Sequence, residues 1–497
     1  MQHSILPFPQ ELRPRLPTIV GNVDYLTLEQ RLHQIDSILK SSGIESSYVA
    51  LSLERWLAKE SLQPSANQQL KFQQRSQRAL RCNILRTLLQ EDYRGFSCQL
   101  AGCALYQWFC AIDAIDRVRV PSKSELQRFS EEMTSDSMRV IGNQLLRAAI
   151  DKADSLELKE ALNLDECFID STCLKADIHF PVDWVLLRDG VRTLMKAARL
   201  IRREGLCARM EPPEEFLRRM NRLCIEMTHR QRSPEGPKQR KQVLRKMKRL
   251  VGVVRGHAKR HRALLDEQWE QTEWTRRQTE VVLARIDTVL KLLPQAQKQA
   301  HERIIGERQV PNGEKILSLY DTAVRVIVRG KAGAEVEFGN SVSLAENPQG
   351  IFLDYKLYKE SAPADSQTLF PCLTQIWEAT GTKPGVVVTD RGYASAANSR
   401  NLKETETYDA TCPRQPAELA LKMKDPKFAR LQRRRAQTEA RIAILKNGFL
   451  GRPMRAKGFA HRELGLAWGV LTHNLWMLAR LRKLKKEKMP ARLRKAA

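Results

Sequence analysis

The chain has 497 residues, which at roughly 150 residues per domain suggests about three domains and at least one full core. Lys plus Arg outnumber Asp plus Glu by 84 to 57, a formal net charge of +27, which points to a polyanionic partner, nucleic acid ahead of a membrane surface. With 42% hydrophobic and 28% charged residues the composition excludes a mainly disordered chain. No charge-free apolar run reaches the length of a membrane-spanning helix. The N-terminal residues 1–17 lack a basic stretch followed by an apolar one, so no secretory signal is expected. Ten cysteines contain no Cys-x-x-Cys pair, which argues against a disulfide framework or structural zinc and for thiols in a reducing cytoplasm.

Residues 1–150 read as almost entirely helical. Leu28, Leu32, Ile35 and Leu39 form one apolar stripe ended by Ser41-Ser42-Gly43. A second helical block covers about 69–89, and a third, apolar and aromatic, covers 100–114 with Tyr106, Trp108 and Phe109. Ser122 with Glu125 makes a capping-box pattern that opens a short helix to about Met133. Thr134, Ser135 and Asp136 offer caps for the next helix, with Met138, Ile141, Leu145 and Leu146. Two helices so closely joined, within 121–150, read either as a DNA-reading helix-turn-helix or as a plain hairpin in a core.

At Glu166 the period changes, and 167–174 reads as a buried strand. After Pro181 the helical period returns for about 130 residues. Arg188, Arg192, Lys196, Arg199 and Arg203 line one face of a helix there, which reads either as a solvated face or, given the overall charge, as a DNA contact. Between Arg230 and Arg262 there are thirteen Lys or Arg and a single acid, Glu235, with Ser233-Pro-Glu-Gly-Pro237 breaking the run. A long helix is expected over 263–293, with Pro294 closing it. The whole stretch 184–315 interrupts a strand-rich region and reads as a basic helical insertion.

Strand signals resume at 323–328, alternate at 335–338 and 341–344, and continue at 351–357. A helix over 366–379 ends at Gly381, Val386 to Asp390 is a short buried strand leading into Arg391-Gly392-Tyr393, a weak strand follows at 407–411, and a long helix runs through Glu439. The series implies an α/β domain around one mixed sheet, with 323–328 as a flanking strand beyond the five required. A C-terminal helix is expected over 463–484, and the tail over 480–495 holds nine bases and one acid, which adds nonspecific phosphate affinity.

Three carboxylates stand out. Asp170 lies within an apolar strand, Asp390 ends another, and Glu439 lies on a helix with Ile442, Leu445 and Lys446 on adjoining turns. A carboxylate in an apolar strand is costly to bury without a cation or partner. Two such groups and a helical Glu form a hard-oxygen set suited to Mg²⁺ or Mn²⁺, and two ions about 4 Å apart serve in-line displacement at phosphorus. The alternative is that strand-end aspartates are simply turn caps.

Asp170-Ser171-Thr172 followed by Ala176-Asp177-Ile178-His179 and Pro181-Val182-Asp183 resembles the first catalytic block of bacterial insertion-sequence DDE transposases, most closely the ISNCY group. Asp390-Arg391-Gly392-Tyr393 resembles the second block, and Arg435, Glu439 and Lys446 the Arg-Glu-Lys spacing of the third, with Gln432 where that signature opens with Tyr. Gly330 to Gly339 and Gly350 to Asp354 resemble the strands between the first two blocks, and Asp365 and Asn474 sit where such proteins often keep an Asp and an Asn.

The resemblance implies a ribonuclease H-like catalytic core, a mixed five-stranded sheet with helices, at 160–183 and 316–460. A helical DNA-binding or dimerisation region at 1–150 (helix-turn-helix at 121–150), the all-α insertion at 184–315, and a C-terminal helix and tail at 461–497 complete the chain. It implies Asp170, Asp390 and Glu439 as catalytic residues and ligands of Mg²⁺ or Mn²⁺, with two ions. Water would cut the phosphodiester at an element end, and the freed 3′-hydroxyl would then attack target DNA. Arg435, Lys446, Arg391, Arg188, Arg192 and Lys196 are the expected DNA contacts, although Arg435 and Lys446 could instead pair with Glu439. His179 and Asp183 are supporting candidates; Asp177 alternates away from Asp170, and Asp354 lacks the Arg-Gly-Tyr turn. Partners are then double-stranded DNA (terminal inverted repeats and target) and a second copy, at least a dimer on DNA, with no membrane, in a bacterial cytoplasm at the nucleoid. A noncatalytic DNA-binding remnant and a ribonuclease H-like nuclease without strand transfer are the competing readings.

Overall fold

The computed structural model describes residues 13–59, 64–112, 117–229, 235–331 and 334–483. The expected break at 233–234 and the basic tail beyond 483 lie outside them. Seven helices come first: α1 (Val23–Ser41), α2 (Ile44–Leu57), α3 (Ala66–Leu89), α4 (Tyr93–Gly102), α5 (Ala104–Phe109), α6 (Lys123–Ser130) and α7 (Ser135–Asp151). Their starts follow capping chemistry: Ser65 and Gln68 form a full capping box, and the hydroxyls of Ser122 and Thr134 accept from the amides of Glu125 and Ser137. The single aromatic helix expected over 100–114 is instead α4 and α5, divided at Cys103, whose backbone is extended. Helix α2 has no separate counterpart among the elements expected from sequence.

Strand β1 (Glu166–Lys175) leads into the insertion helices α8 (Asp183–Arg203), α9 (Pro213–His229), α10 (Gly236–Gln268) and α11 (Arg276–Ile304). The long helix expected at 263–293 is corrected on both sides. A 3₁₀ turn at Trp269–Gln271 separates α10 from α11, whose start is fixed by a Thr275–Gln278 capping box. Pro294 lies inside α11 rather than closing it. It removes one helical hydrogen bond, but buried Leu293, Ala296 and Ala300 on either side hold the helix against the insertion's own apolar core.

The sheet is completed by β2 (Arg325–Lys331), β3 (Ala334–Glu346) and β4 (Phe352–Leu357), then α12 (Asp365–Thr380), β5 (Val386–Thr389), α13 (Ala396–Glu404), β6 (Tyr408–Thr411), α14 (Pro416–Lys422), α15 (Pro426–Leu445) and α16 (Phe459–Leu481). The two short alternating stretches of the sequence are one long strand, β3. Its inner edge pairs antiparallel with β1, while its outer edge pairs with β2 at one end and β4 at the other. Parallel pairing of β1 with β5 and of β5 with β6 extends the sheet the other way. The result is a six-stranded mixed sheet in which β2 is the flanking strand.

Helices cover both faces. Alternation along β1 sends Cys167 and Ile169 into the large core shared with α1–α7, α12 and α16, and Phe168 into a cluster with Val386, Val388, Phe428 and Leu431 under α15. The N-terminal helices therefore share a core with the sheet and with α16. Helix α7 is spent on that contact. Arg139 donates to Asp354 Oδ1 at 2.6 Å, Arg147 donates to the carbonyls of Glu378 and Ala379, and Ser135 bonds Glu463. Helices α6 and α7 thus pack one face each into the shared core. No helix among the described residues is long and apolar enough to cross a membrane.

Candidate active site

The register of β1 against β5 pairs Phe168 with Val388; two residues further along each chain come Asp170 and Asp390. Both follow the parity of Phe168 and Val388, so both fall on the face covered by α15. Adjacent strands lie about 4.8 Å apart, which leaves little room between two carboxylates. Asp170 is pushed up to about 6, by burial first and then by the charges of Asp390 and Glu439, against the Ser171 amide and Arg435, which lower it. The Ser171 N–H donates to Asp170 Oδ1 at 2.7 Å.

Asp390 is fixed by the turn that follows it. The Gly392 amide donates to Asp390 Oδ1 at 2.8 Å. A Cβ at Gly392 would stand 3.0 Å from that same oxygen and 2.8 Å from Asp365 Oδ2, so a side chain here would push on both carboxylates. Tyr393 is fully buried beneath them, its hydroxyl raised by burial and by Asp365 and Asp170. Asp365, the first residue of α12, therefore stands beside the pair.

Glu439 arrives on α15. That helix is bolted to the sheet: Gln432 Nε2 donates to the carbonyls of Thr389 (3.2 Å) and Ala410 (2.5 Å), closing over the ends of β5 and β6. Glu346, at the end of β3 and with no exposed surface, accepts from Thr438 Oγ1 at 2.8 Å and from Arg434 at 3.3 Å, with Arg441 Nε 4.0 Å away. Arg434 also lies over the Phe168 ring at 4.6 Å and donates to the Pro348 carbonyl at 2.8 Å. The Glu439 side chain, 58% exposed, is turned onto Arg435, 3.4 Å away in an i,i+4 pair. Lys446 instead donates to Thr172 Oγ1 at 3.1 Å, two residues from Asp170 on the same face of β1. Arg391 is exposed beside Asp390.

Other expected residues lie elsewhere. Asp183 is buried at the start of α8 and bonded to Gln299 (2.8 Å) and Arg303 (2.9 Å), so it clamps the base of the insertion and lies apart from the carboxylate cluster. His179 and Asp177 are exposed beyond the end of β1. Arg188 and Arg192 pair with Asp189 on their own helix, while Lys196 is exposed. Asp354 is taken by Arg139. Asn474 exchanges two hydrogen bonds with the Phe352 backbone, fixing β4 to α16. Glu346 and Gln432 carry roles that sequence reasoning misses: no local pattern sets Glu346 apart from the other 56 acids, and Gln432 stands out only as a departure from Tyr.

The donor set is three carboxylates of hard oxygen, and its most buried member is raised by burial first and then by the charges of the other two. That chemistry fits Mg²⁺ or Mn²⁺. Among the described residues no three His, Cys, Asp or Glu side chains are already gathered at metal-binding distance. Swinging Glu439 inward costs only an exposed i,i+4 pair, about 0.5 kcal/mol or less.

Two carboxylates at adjacent strand ends of the mixed sheet and a third on the covering helix make an acidic cluster on an α/β domain. Residues 328–475 match the family model described as the transposase DDE domain, and the chain thus carries a DDE domain of the insertion-sequence transposase type. The match takes in Asp390, Arg435, Glu439 and Lys446 and leaves Asp170 and the insertion outside it. No curated protein and no solved structure matches the chain.

Proposed function

We propose that the protein is a DDE transposase of the ISNCY group with a ribonuclease H-like core, which cuts DNA at insertion-sequence ends and joins the freed 3′-hydroxyl to target DNA. The observation that carries this reading is that Asp170, Asp390 and the helix bearing Glu439 lie on one sheet face, from three segments far apart in sequence. The sheet supports it too: the order β4-β3-β1-β5-β6, with β3 antiparallel to β1, is that expected of a ribonuclease H-like domain.

Divalent ions bound by the three carboxylates would neutralise charge on the attacking and leaving oxygens of an in-line displacement. The chain's own residues do the rest. Asp170 and Asp390 are held by the Ser171 and Gly392 amides, so the oxygens that receive a cation are oriented in advance. Glu439 closes the group by leaving Arg435, which frees that guanidinium for a phosphate oxygen beside the reacting centre. Lys446, anchored over Thr172, and exposed Arg391 offer cations on either side for the DNA strand. Both steps are phosphoryl transfers and need no protein nucleophile. Pairing two DNA ends implies a dimer on DNA.

The test uses labelled DNA flanking the gene with purified protein and Mg²⁺. Wild type should nick the 3′ ends and yield joined products, and Asp390→Asn should do neither. Nicking without joining would favour a nuclease, and tight binding without cleavage by either protein a DNA-binding remnant. Binding should also be steeply salt-dependent: with about 6–10 phosphates contacted, affinity should fall by roughly 10³- to 10⁵-fold between 50 and 200 mM salt. A flat titration by fluorescence anisotropy would contradict a broad DNA surface.

A further inference from the structure

Helix α10 divides its surface sharply. Val243, Leu244, Met247, Val251, Val254, Ala258 and Leu265 are buried in the insertion's core against the helices around it. On the opposite side Lys238, Arg245, Lys246, Arg249, Lys259 and Arg260 fall within an arc of about 140° on a helical wheel, and all six are exposed. No acid occurs in α10 before Asp266. Lys241, at the same edge of that arc as Lys259, lies 2.6 Å from Glu307, and Arg262, on the flank, lies 2.6 Å from Asp266. Among the described residues, none of the six on the open face has an acidic partner. The stripe on α8 differs, because Arg188 and Arg192 are engaged by Asp189.

In the middle of the same face lie Gly252 and Gly256, with Val253 between them 51% exposed. Glycine is the poorest helix former after proline, and two of them one turn apart weaken a long exposed helix. Nothing in the fold requires them: a Cβ built at either position meets no atom within 4 Å. They leave a shallow bare strip of helix backbone, with Arg245 and Arg249 at one end and Lys259 and Arg260 at the other. Arg245 to Arg260 spans about 22 Å, the reach of several successive phosphates.

We propose that this face of α10 is a docking surface for the sugar–phosphate backbone of duplex DNA, the glycine strip admitting the backbone close to the helix while the flanking cations pair with phosphates. The proposal rests on the reading of the chain as a DNA-processing enzyme and adds to it the place where the insertion holds DNA. Charge decides the occupant. A second copy of this chain presenting the same face would set the six cations against six more, whereas a duplex brings one negative charge per about 1.7 Å of axis.

The test uses the full chain and a labelled duplex of arbitrary sequence, so that neither end recognition nor chemistry enters. Gly252→Ala with Gly256→Ala should raise Tm by about 2–4 °C through helix propensity. The same double variant should weaken duplex binding by about fivefold to tenfold, the scale of a single charged hydrogen bond. A protein made more stable and a poorer DNA binder by the same two methyl groups is not the result expected of a merely structural helix. Arg245→Gln with Arg249→Gln and Lys259→Gln should reduce the salt slope of binding by about 2–3. Wild-type binding that both variants leave unchanged overturns this proposal and leaves the transposase reading standing. A shift of the glycine variant from dimer to monomer in sedimentation, with DNA affinity kept, overturns it in favour of a second copy. A wild-type chain that binds no duplex removes both readings.

Discussion

Replacing Asp170 by Asn should make the metal-free protein more stable while lowering cleavage by about 10³-fold or more, the scale of the several kcal/mol that metal-assisted charge stabilisation supplies. Its carboxyl stands at about 6 because burial and the charges of Asp390 and Glu439 outweigh Ser171 and Arg435. In the unfolded chain the same group titrates near 4. Between these values the native state binds more protons than the unfolded one, so this group's contribution to stability falls as pH rises through about 4 to 6 and stays low above it. Two pKa units correspond to about 3 kcal/mol; partial access to water trims that to about 2–3 kcal/mol. Asn keeps an oxygen for the Ser171 amide and removes the charge. In chelator at neutral pH the variant's Tm should therefore exceed the wild type's by about 2–4 °C, a difference that shrinks on acidification towards pH 4. Added Mg²⁺ should raise the Tm of wild type, since it binds the native state alone, and should leave that of the variant nearly unmoved. Equal melting in chelator, or a Mg²⁺ response kept by the variant, would show that these carboxylates do not form one repulsive cluster.

Much of the arrangement is legible in the sequence because it rests on local signals. The apolar run around Asp170, the Val386–Thr389 strand ending at Asp390, and the helical period through Glu439 place each carboxylate on its element. The resemblance to DDE transposases then implies a core with Asp170 on its first strand and Asp390 on its fourth. What stays hidden depends on contacts between distant segments. The division of β3's outer edge between β2 and β4 leaves no trace in either strand's alternation. Asp183 shares the polar pattern of a ligand, but Gln299 and Arg303, more than a hundred residues later, claim it. The pair at 121–150 has readable caps and spacing, but the tertiary partners of Arg139 and Arg147 on β4 and α12 leave no sign in it. Pro294 misleads for a related reason: propensity argues for a helix end, and packing on both sides overrides it.

Glu346 should prove as important to the reaction as a residue that never touches DNA can be, because it sets where α15 lies. Thr438, whose hydroxyl it accepts, is the immediate neighbour of Glu439, and Arg434 and Arg441 lie one turn to either side. Its carboxyl is raised by burial and held down by Thr438 and by the two guanidiniums. Glu346→Ala would leave Arg434 half of a buried pair, which typically costs about 3–5 kcal/mol, so this variant is expected to melt early. The informative change is Glu346→Gln. It keeps the shape and an oxygen for Thr438 but lets go of Arg434 and Arg441, and α15 is then free to shift along the sheet. A displacement of about 1 Å at Glu439 is enough for a loss of about 10²-fold in cleavage. Because the exposed cations are untouched, the affinity for DNA and its salt slope should stay at wild-type values, so the loss appears in kcat and not in KM. A Gln variant that keeps full cleavage while losing stability would reduce Glu346 to a core ion pair. Equal losses in cleavage and DNA binding would mean that α15 acts as a DNA contact and not as the carrier of the third carboxylate.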